Sequence, residues 1–354
     1  MRKVKSKPNL LLVGPMPPPI GGDTVSFHKL VNNHIFNDYY NIKIISTRPV
    51  YLREKRNIFD VLRFFFFVSE FILHFYKYNV VFFNINRDFS ISGFIVPFIL
   101  CKIFRKKIVL KTFGSGLDIL VDKLNPLHKK IVFKVFKSID ILFPQTIKLF
   151  KWFEGNGFKC QCFPNWIQKD YIKLKDVDVR KNFIFVGQVK KEKGVINLID
   201  SMNALPDVQC HFYGPILKRD ESAFLSKLMF SKNCEYRGVL AGEELGDFIE
   251  KYKSLILPTF YIGEGVPAVL LESIAKGVPV VASRQGGITD LISKQNGILF
   301  DTENELTSAL LKANDLDSEL YLKMSKAGVN RAKNFSDSVV IENLCKRINL
   351  LFDT

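Results

Sequence analysis

The sequence predicts an α/β protein of two domains, each built around a doubly wound parallel sheet. Three observations lead to this prediction. The chain has 354 residues, which is too long for one ordinary domain and sufficient for two. Short β-rich segments alternate with segments long enough for crossover helices. The alternation begins again after residues 162–179, which we interpret as the linker.

Each predicted strand is a short apolar segment rich in β-branched or aromatic residues. In the first half these segments are residues 9–14, 41–46, 79–85, 107–113 and 139–145. In the second half they are residues 182–189, 208–214, 255–260 and 278–283. Residues 336–352 are expected to form a helix capped by Ser336 or Asp337. The predicted domains are residues 1–165 and 166–335, followed by a C-terminal helix within residues 336–354.

Positive charge is concentrated in the first half of the chain. Residues 1–165 contain 26 Lys and Arg against 10 Asp and Glu, whereas residues 166–354 contain 25 of each. The whole net charge of +16 therefore lies in the first half. Such an excess predicts an anionic partner: nucleic acid, an anionic membrane surface or a phosphorylated substrate. The chain has no nucleic-acid recognition motif, so we expect no nucleic-acid partner.

Two helical segments of the basic half carry apolar surface. Residues 57–78 place their polar residues on one narrow stripe, formed by Asp60, Arg63, Glu70, His74 and Lys77. This pattern fits either a buried crossover helix or a helix that meets lipid. Residues 125–137 place three lysines on one face, namely Lys130, Lys134 and Lys137. That face is either solvated or rests on an anionic bilayer, and together with the charge it predicts membrane docking.

Further sequence features concern membrane insertion, export and metal binding. No apolar segment reaches the length that spans a bilayer, and we expect no export signal at the start of the chain. The six cysteines form no CxxC pair and no zinc spacing with the five histidines, so we expect reduced thiols and no metal site. One Asp-x-Asp pair, Asp176 and Asp178, lies in the linker, and we do not expect it to bind metal.

Residues 263–281, GEGVPAVLLESIAKGVPVV, place two glutamates in an otherwise apolar stretch. We expect Pro267 to lie in the first turn of a helix, with Glu264 in the loop before it and Glu272 on its second turn. The free amides at the start of such a helix favour phosphate. A bound phosphorylated ligand would offer a hydroxyl group to each glutamate, or else the two acids only stabilise the helix dipole.

Two further segments are candidate anion sites. In residues 187–200, Gly187 allows close approach of a ligand to the backbone, and Lys193 precedes the start of a helix. That lysine either neutralises a diphosphate or is a solvated turn residue. Gly21 and Gly22 follow the first strand and either expose amides to an anion or form a plain turn.

These motifs together resemble the signature of the family 4 retaining glycosyltransferases. Glu264, Glu272 and the following GVPVV segment, together with Lys193-Gly194 and Gly21-Gly22, occur in that family's order and spacing. The segments FPNWI (163–167) and CEYRGVL (234–240) match as well. The resemblance covers essentially the whole chain and implies the GT-B fold, in which two Rossmann-like domains face each other across a cleft and the last helix returns to the first domain. It also implies that residues 1–165 bind the acceptor and residues 166–335 bind the nucleotide sugar.

The resemblance also implies a role for each site residue. Glu264 contacts the transferred sugar and Lys193 binds the diphosphate, so these two form the expected catalytic site. Glu272 binds the ribose, and the backbone near Val239 faces the base. The remaining expected donor-binding residues are Gly21, Gly22, Gly187, Gln188, Val266, Ala268 and Val269.

The chain departs from the family pattern at three positions. Gln188 stands where the family usually has Arg, and Lys190 or Lys191 is a candidate replacement for that charge. Phe113 stands where the family often has His, with Asp118 or Ser115 as candidate replacements. Pro267 lacks an amide that many members direct at the sugar.

The function that follows is a metal-independent, retaining hexosyltransferase that uses a UDP- or GDP-linked sugar and no cofactor. We expect a polyprenyl-diphosphate-linked acceptor, a peripheral position on the cytoplasmic face of the membrane and a role in surface polysaccharide synthesis, such as O-antigen, capsule or exopolysaccharide. Two alternatives remain: a degenerate transferase that only binds its ligands, and a nucleotide-sugar epimerase.

Overall fold

The computed structural model describes residues 7–18, 21–47, 58–85, 92–174, 181–240 and 245–352, without the side chains of residues 58–61, 63, 92 and 93. The chain divides into two compact units. The first consists of Met1–Pro164 and Ser338–Thr354, and the second of Asn165–Asp337. Each contains one parallel sheet surrounded by helices, so the predicted fold class is confirmed.

The first unit contains all five strands that the sequence predicts. They are β1 (Asn9–Gly14), β2 (Asn41–Ser46), β3 (Val80–Ile85), β4 (Lys107–Thr112) and β5 (Ile141–Pro144). The helices between and after them are α1 (Gly22–Val31), α2 (His34–Tyr39), α3 (Ile58–Phe75), α4 (Ser92–Ile103), α5 (Leu117–Asp122), α6 (Pro126–Ser138) and α7 (Ile147–Gly155). The strand order is β2-β1-β3-β4-β5, and every neighbouring pair is parallel.

Helix α3 covers the sheet with one aromatic stripe. Phe67, Phe71 and Phe75 recur every fourth residue, so they share a face, and all three are buried. The ring of Phe71 lies 6.1 Å from that of Phe83 on β3. The opposite face is also apolar but exposed, so of the two alternatives, a buried crossover helix with a thin polar edge and a helix that meets lipid, the first does not fit that face. The side chains of Asp60 and Arg63 lie outside the described residues.

The second unit contains the four predicted strands and two that the sequence analysis missed. Its strands are β6 (Phe183–Val186), β7 (Cys210–Tyr213), β8 (Cys234–Tyr236), β9 (Ser254–Leu257), β10 (Val280–Ser283) and β11 (Gly297–Phe300). The order is β11-β10-β9-β6-β7-β8, again with parallel pairs. The missed strands, β8 and β11, are the two edges of the sheet, and five of their seven residues are only partly buried or exposed, so they give little apolar pattern.

The helices of the second unit alternate with its strands. They are α8 (Val195–Met202), α9 (Glu221–Met229), α10 (Leu245–Ile249), α11 (Ala268–Ala275), α12 (Ile288–Leu291), α13 (Leu306–Asn314) and α14 (Ser318–Lys333), with 3₁₀ turns at Lys169–Tyr171, Lys191–Lys193 and Glu303–Glu305. The chain enters and leaves this unit through adjacent segments. The amide of Ile167 donates to the carbonyl of Phe335 at 2.9 Å, and the amide of Asp337 donates to the carbonyl of Ile167 at 2.8 Å.

The last helix, α15 (Asp337–Asn349), contributes to the first unit from residue 338 onward. The hydroxyl of Tyr40 hydrogen-bonds the carbonyl oxygen of Cys345 at 2.9 Å and lies 2.8 Å from Oδ1 of Asn349. The ring of Phe352 stacks on that of Tyr40 at 6.0 Å. These contacts fix the C-terminal helix to the end of α2.

Within the described ranges, no helix is long and apolar enough to cross a membrane. The six cysteines all lie in this part of the chain, and none forms a disulfide.

Candidate functional site

The segment with the two glutamates connects β9 to helix α11. Pro267 is the N-cap of this helix and has extended backbone angles, so the prediction that it lies in the first helical turn is wrong by one residue. The carbonyl of Pro267 accepts the first helical bonds, from Leu270 and Leu271. The amides of Ala268 and Val269 come before these bonds, and such amides have no carbonyl partner within a helix.

Lys193 and Glu264 are brought together at the start of this segment. The ammonium group of Lys193 contacts Oε2 of Glu264, and the two side chains are only 14% and 9% exposed. The buried hydroxyl of Thr259 donates to the same carboxylate oxygen at 2.9 Å. The expected catalytic pair is therefore a preformed, largely buried ion pair with one additional hydrogen bond.

A glycine allows the turn that carries Lys193 to lie close to the end of β9. Gly194 has a left-handed backbone (φ +71°), and a Cβ atom there would lie 2.1 Å from the carbonyl oxygen of Pro258. Only glycine fits this geometry, because it has no side chain and tolerates positive φ. The turn that carries Lys193 can thus pack directly against the end of β9.

A second lysine stands beside the pair. Nζ of Lys190 lies 3.9 Å from the ring centroid of Tyr261, within the range of a cation–π contact. Burial, and then the positive charge of Lys193, lower the pKa of Lys190. Gln188 and Lys191 are exposed. Of the two candidate replacements for the missing arginine, Lys190 is the one that the structure holds next to Lys193.

Glu272 lies on the second turn of α11, as the sequence predicts, and its side chain is buried. Burial, and then the negative charge of Glu272, raise the pKa of the Tyr171 hydroxyl. Nζ of Lys276 lies 4.1 Å from the ring centroid of Tyr171. Lys276 in turn pairs with Asp247 at 2.6 Å.

The glycines that follow β6, β7 and β8, namely Gly187, Gly214 and Gly238, pack closely at the carboxyl ends of these strands. A Cβ atom on Gly214 would lie 2.0 Å from the carbonyl oxygen of Gly187. The amide of Gly214 donates to the carbonyl of Gly238 at 2.8 Å. Val239, the residue expected near the base, follows directly and is exposed. The backbone at this edge is therefore compact, as close approach of a ligand requires.

Two parts of the site were missed by the sequence analysis. Gly286 has φ +56°, and a Cβ atom there would lie 1.9 Å from the carbonyl oxygen of Glu264, so the loop after β10 fixes the Glu264 backbone. The side-chain amide of Asn165 donates to the carbonyl of Val266 at 2.6 Å. A Gly-Gly pair after a strand was the available signal for Gly286, and it is the same signal that identified Gly21.

The remaining expected residues lie in the first unit. Gly21 is the N-cap of α1, and its amide donates to Oγ1 of Thr24 at 2.9 Å. A Cβ atom on Gly22 would lie 3.3 Å from the ring of Phe113, the residue that replaces the expected histidine. Asp118 is buried and pairs with Lys148 at 3.2 Å. On α6, Lys130, Lys134 and Lys137 are exposed, as expected for a solvated or membrane-facing side of the helix. Asp176 and Asp178 lie outside the described residues.

The two Rossmann-like units form a fold that known proteins share. Residues 168–331 match the family model described as glycosyl transferases group 1. The matched region lies entirely within the second unit.

Curated relatives match over part of their length. The sulfoquinovosyl transferase SQD2 of Arabidopsis thaliana is 30% identical over 139 residues, which are 38% of this chain and 26% of that protein. The putative teichuronic acid biosynthesis glycosyltransferase TuaC of Bacillus subtilis is 24% identical over 210 residues, which are 54% and 50% of the two chains. The chain thus spans about a quarter to a half of the length of these relatives.

The fold is also found among solved structures. Anabaena HepE, determined in complex with UDP and glucose, superposes with a TM-score of 0.74 over 96% of this chain and 99% of its own, at 12% identity. At this identity the likeness concerns the fold, which is that of GT-B glycosyltransferases.

Proposed function

We propose that the protein is a retaining glycosyltransferase that transfers a sugar from a nucleoside-diphosphate sugar bound by the second unit. The observation that carries this proposal is the contact of Lys193 with Glu264, held by Thr259, just before the free amides of α11. A cation, a carboxylate and helix amides together suit a ligand with both phosphate and hydroxyl groups. The match of residues 168–331 to group 1 glycosyltransferases supports the same reading.

The proposed chemistry breaks the bond between the sugar's anomeric carbon and the diphosphate and forms a bond to an acceptor hydroxyl on the same face. Negative charge grows on the leaving diphosphate, so the main catalytic requirement is positive charge beside it. Lys193, Lys190 and the amides of Ala268 and Val269 provide that charge. The leaving phosphate takes the acceptor's proton, Glu264 contacts the transferred sugar, and Glu272 binds the ribose. No step of this scheme requires a metal ion.

We further propose that the acceptor is lipid-linked, with a polyprenyl diphosphate, and that the enzyme works on the cytoplasmic face of the membrane in surface polysaccharide synthesis. The name of TuaC, which refers to teichuronic acid biosynthesis, supports this role. The first unit offers a surface for the membrane, formed by α3 and α4, which we call the α3–α4 surface. Its large apolar side chains are more than half exposed, namely Phe65, Phe66, Leu73, Tyr76, Ile103 and Phe104.

Two lysines, Lys77 and Lys106, lie beside Tyr76 on the α3–α4 surface. Nζ of Lys106 donates to the carbonyl of Tyr76 at 2.9 Å, and Nζ of Lys77 lies 5.7 Å from the Tyr76 ring. The rings of Phe75 and Phe104 meet edge to face at 5.3 Å, which joins the two helices. Apolar side chains bordered by lysines are typical of surfaces that enter the interface of an anionic bilayer. The exposed lysines of α6 add to the attraction.

The test of the donor site is a thermal-shift titration with UDP, GDP, TDP and ADP and their sugar conjugates. A ligand at about 100 times its Kd stabilises the folded chain by about 2.7 kcal/mol, which raises the melting temperature measurably. We expect one nucleotide to do so and Glu272→Ala to abolish the effect. Release of free sugar or transfer to an added acceptor then distinguishes an enzyme from a binding subunit. If no diphosphate shifts the transition, the proposal fails.

A further inference from the structure

Two cysteines of the second unit lie side by side in its sheet. Cys210 begins β7 and Cys234 begins β8, and the register of the sheet pairs these two residues directly. Paired residues on neighbouring strands point to the same face of a sheet, and the strands lie about 4.8 Å apart. A disulfide spans Cα separations of roughly 4.4–6.8 Å, so this register suits a bond between the two side chains.

The two thiols differ in their access to solvent. Cys210 is completely buried in the core of the second unit, with 0% of its surface exposed. Cys234 packs against the same core but is partly exposed. Since β8 is an edge of the sheet, β7 is its only neighbour among the described strands. A reagent in solution can therefore reach Cys234 but not Cys210.

The acidity of the two thiols differs in the same sense. A hydrogen bond with Cys210 lowers the pKa of the Cys234 thiol, against the effect of burial, and a hydrogen bond with Ser231 also lowers it. Burial raises the pKa of Cys210 well above its usual range, and it raises those of Cys101 and Cys345 to about 12. Because the thiolate is the nucleophile in thiol–disulfide exchange, we expect Cys234 to react first.

We propose that Cys210 and Cys234 form a thiol–disulfide switch, in which a low-molecular-weight disulfide oxidises the pair to an intramolecular disulfide. The Cys234 thiolate attacks one sulfur of the reagent, which forms a mixed disulfide and releases one thiol. The Cys210 thiol then loses its proton and attacks Sγ of Cys234, which releases the second thiol. The protein thus loses two hydrogen atoms, and the disulfide of the reagent is reduced to two thiols.

The bond fastens an edge strand to the sheet. β8 has three residues and pairs with β7 at all three of them. The disulfide also closes residues 210–234, with helix α9 among them, into a loop that restricts the unfolded chain. Oxidation should therefore raise the melting temperature of the second unit by about 5 °C or more. This inference does not depend on the proposed function, because no ligand of the donor site takes part.

The experiment treats the full chain with glutathione disulfide and maps its cysteine-containing peptides by mass spectrometry. We expect a disulfide between Cys210 and Cys234, with no glutathione retained on either. Cys210→Ala should instead retain one glutathione on Cys234, because no second thiol displaces it. Cys234→Ala should leave Cys210 unmodified, because that thiol is buried. Thermal melting under reducing conditions shows whether both variants fold, and the parent chain with Cys234→Ala decides the question if Cys210→Ala does not.

The matched control within the chain is the pair Cys160 and Cys162, which are much closer in sequence and also partly exposed. Their thiols are directed at different carbonyl oxygens, that of Phe150 at 3.8 Å and that of Gln145 at 3.9 Å. We therefore expect no disulfide between these two cysteines in the same peptide map.

Several results would overturn the inference. One is a parent chain that retains glutathione on Cys234, and another is a folded chain in which neither Cys210 nor Cys234 reacts. A third is an oxidised chain that melts no higher than the reduced chain, or whose two thiols dithiothreitol does not restore. A disulfide between Cys160 and Cys162 that forms as readily would show that exposure alone, and not pairing in the sheet, decides which thiols react.

Discussion

The ammonium group of Lys193 contacts the carboxylate of Glu264, although 71 residues separate them in the chain. Both side chains are largely buried, so each charge depends on the other for stabilisation. A diphosphate that binds Lys193 must share that lysine with Glu264. Under the proposed function, the pair therefore connects folding of the second unit to binding of the nucleoside diphosphate.

Replacing Lys193 alone should destabilise the protein. Lys193→Met leaves the Glu264 carboxylate buried without its cation, and we expect a loss of about 3 kcal/mol in the free energy of unfolding. Urea denaturation measures this loss. Calorimetry should detect no binding of the nucleoside diphosphate to the same variant.

The control is the double variant Lys193→Met/Glu264→Gln, which removes both charges. It should recover most of the lost stability but no nucleotide binding, because the interaction energy of a pair in contact is not additive. Equal destabilisation by the single and double variants would show that the two charges are not coupled.

Lys190 and Lys191 allow a direct comparison of two adjacent lysines. Lys190 is held by Tyr261 beside Lys193, whereas Lys191 is exposed. We expect Lys190→Ala to weaken nucleoside-diphosphate binding about tenfold, the value of one charge-assisted hydrogen bond. Lys191→Ala should change it by less than about twofold. If the two variants weaken binding equally, the effect is that of net charge, and the proposed role of Lys190 is wrong.

Gly194 should be intolerant of any side chain. Gly194→Ala places a methyl group against the carbonyl of Pro258 and should cost at least about 3 kcal/mol, since it adds a backbone clash to left-handed strain. Gly157 is the matched control, because it has nearly the same φ (+73°) and no atom near its Cβ position. Gly157→Ala should cost only the strain, about 1 kcal/mol, in the same denaturation assay. Equal losses would mean that the close approach to Pro258 is not constraining.

Strands and helices were predictable where the chain is buried on both sides. The central strands β1, β3 and β9 are largely continuous apolar runs, whereas five of the seven residues of the edge strands β8 and β11 are only partly buried or exposed, so these two strands lack a clear apolar pattern. Glu264 and Glu272 were identifiable because they have fixed positions relative to one strand and one helix. Their positions depend only on local sequence.

Contacts between distant segments were not predictable. The contacts of Lys190 with Tyr261 and of Lys193 with Glu264 join segments far apart in the chain, and Gly194 lets the turn that carries both lysines pack against the end of β9. No local sequence pattern predicts that these two segments lie in contact. One signal was available in the first unit: Lys111 interrupts the apolar strand KIVLKT.

Lys111 should make the stability of the protein depend on pH. Its side chain is 1% exposed, its ammonium lies 3.2 Å from Oγ of Ser26 and 4.8 Å from the ring centroid of Phe163, and burial lowers its pKa to about 7. An unfolded lysine titrates near 10.4. Between these pH values the unfolded chain binds one proton more than the folded chain, so the free energy of unfolding rises with pH.

The expected slope is about 1.4 kcal/mol per pH unit from this residue alone, and it disappears below the folded pKa. Urea denaturation between about pH 7 and pH 9 measures it, with Lys111→Met as the variant that lacks the titration. The difference in stability between Lys111→Met and the parent chain should shrink steadily over this range. Lys130→Met, at an exposed lysine, should leave the slope unchanged. A parallel pH dependence in the parent chain and Lys111→Met would contradict the assignment.

Membrane docking should depend on the α3–α4 surface. Phe65→Ser and Phe66→Ser each remove an exposed aromatic ring that would enter the bilayer interface. Since burying such a side chain contributes about 1.5–3 kcal/mol, each substitution should weaken binding to vesicles of anionic phospholipid about tenfold or more. Sedimentation with vesicles of defined composition measures the bound fraction.

Two controls distinguish insertion of the aromatic rings into the bilayer from nonspecific apolar binding and from electrostatic attraction to anionic lipid. Phe230 is 80% exposed but lies in the second unit, so Phe230→Ser should leave vesicle binding unchanged. Replacing Lys130, Lys134 and Lys137 by Gln should weaken binding to anionic vesicles only, and by less at high salt, because the attraction of lysines to anionic lipid is screened. If Phe230→Ser is as harmful as Phe66→Ser, the exposed rings act as nonspecific apolar contacts. In that case the α3–α4 surface is not the docking site, and the charge of the first unit serves the phosphorylated substrate alone.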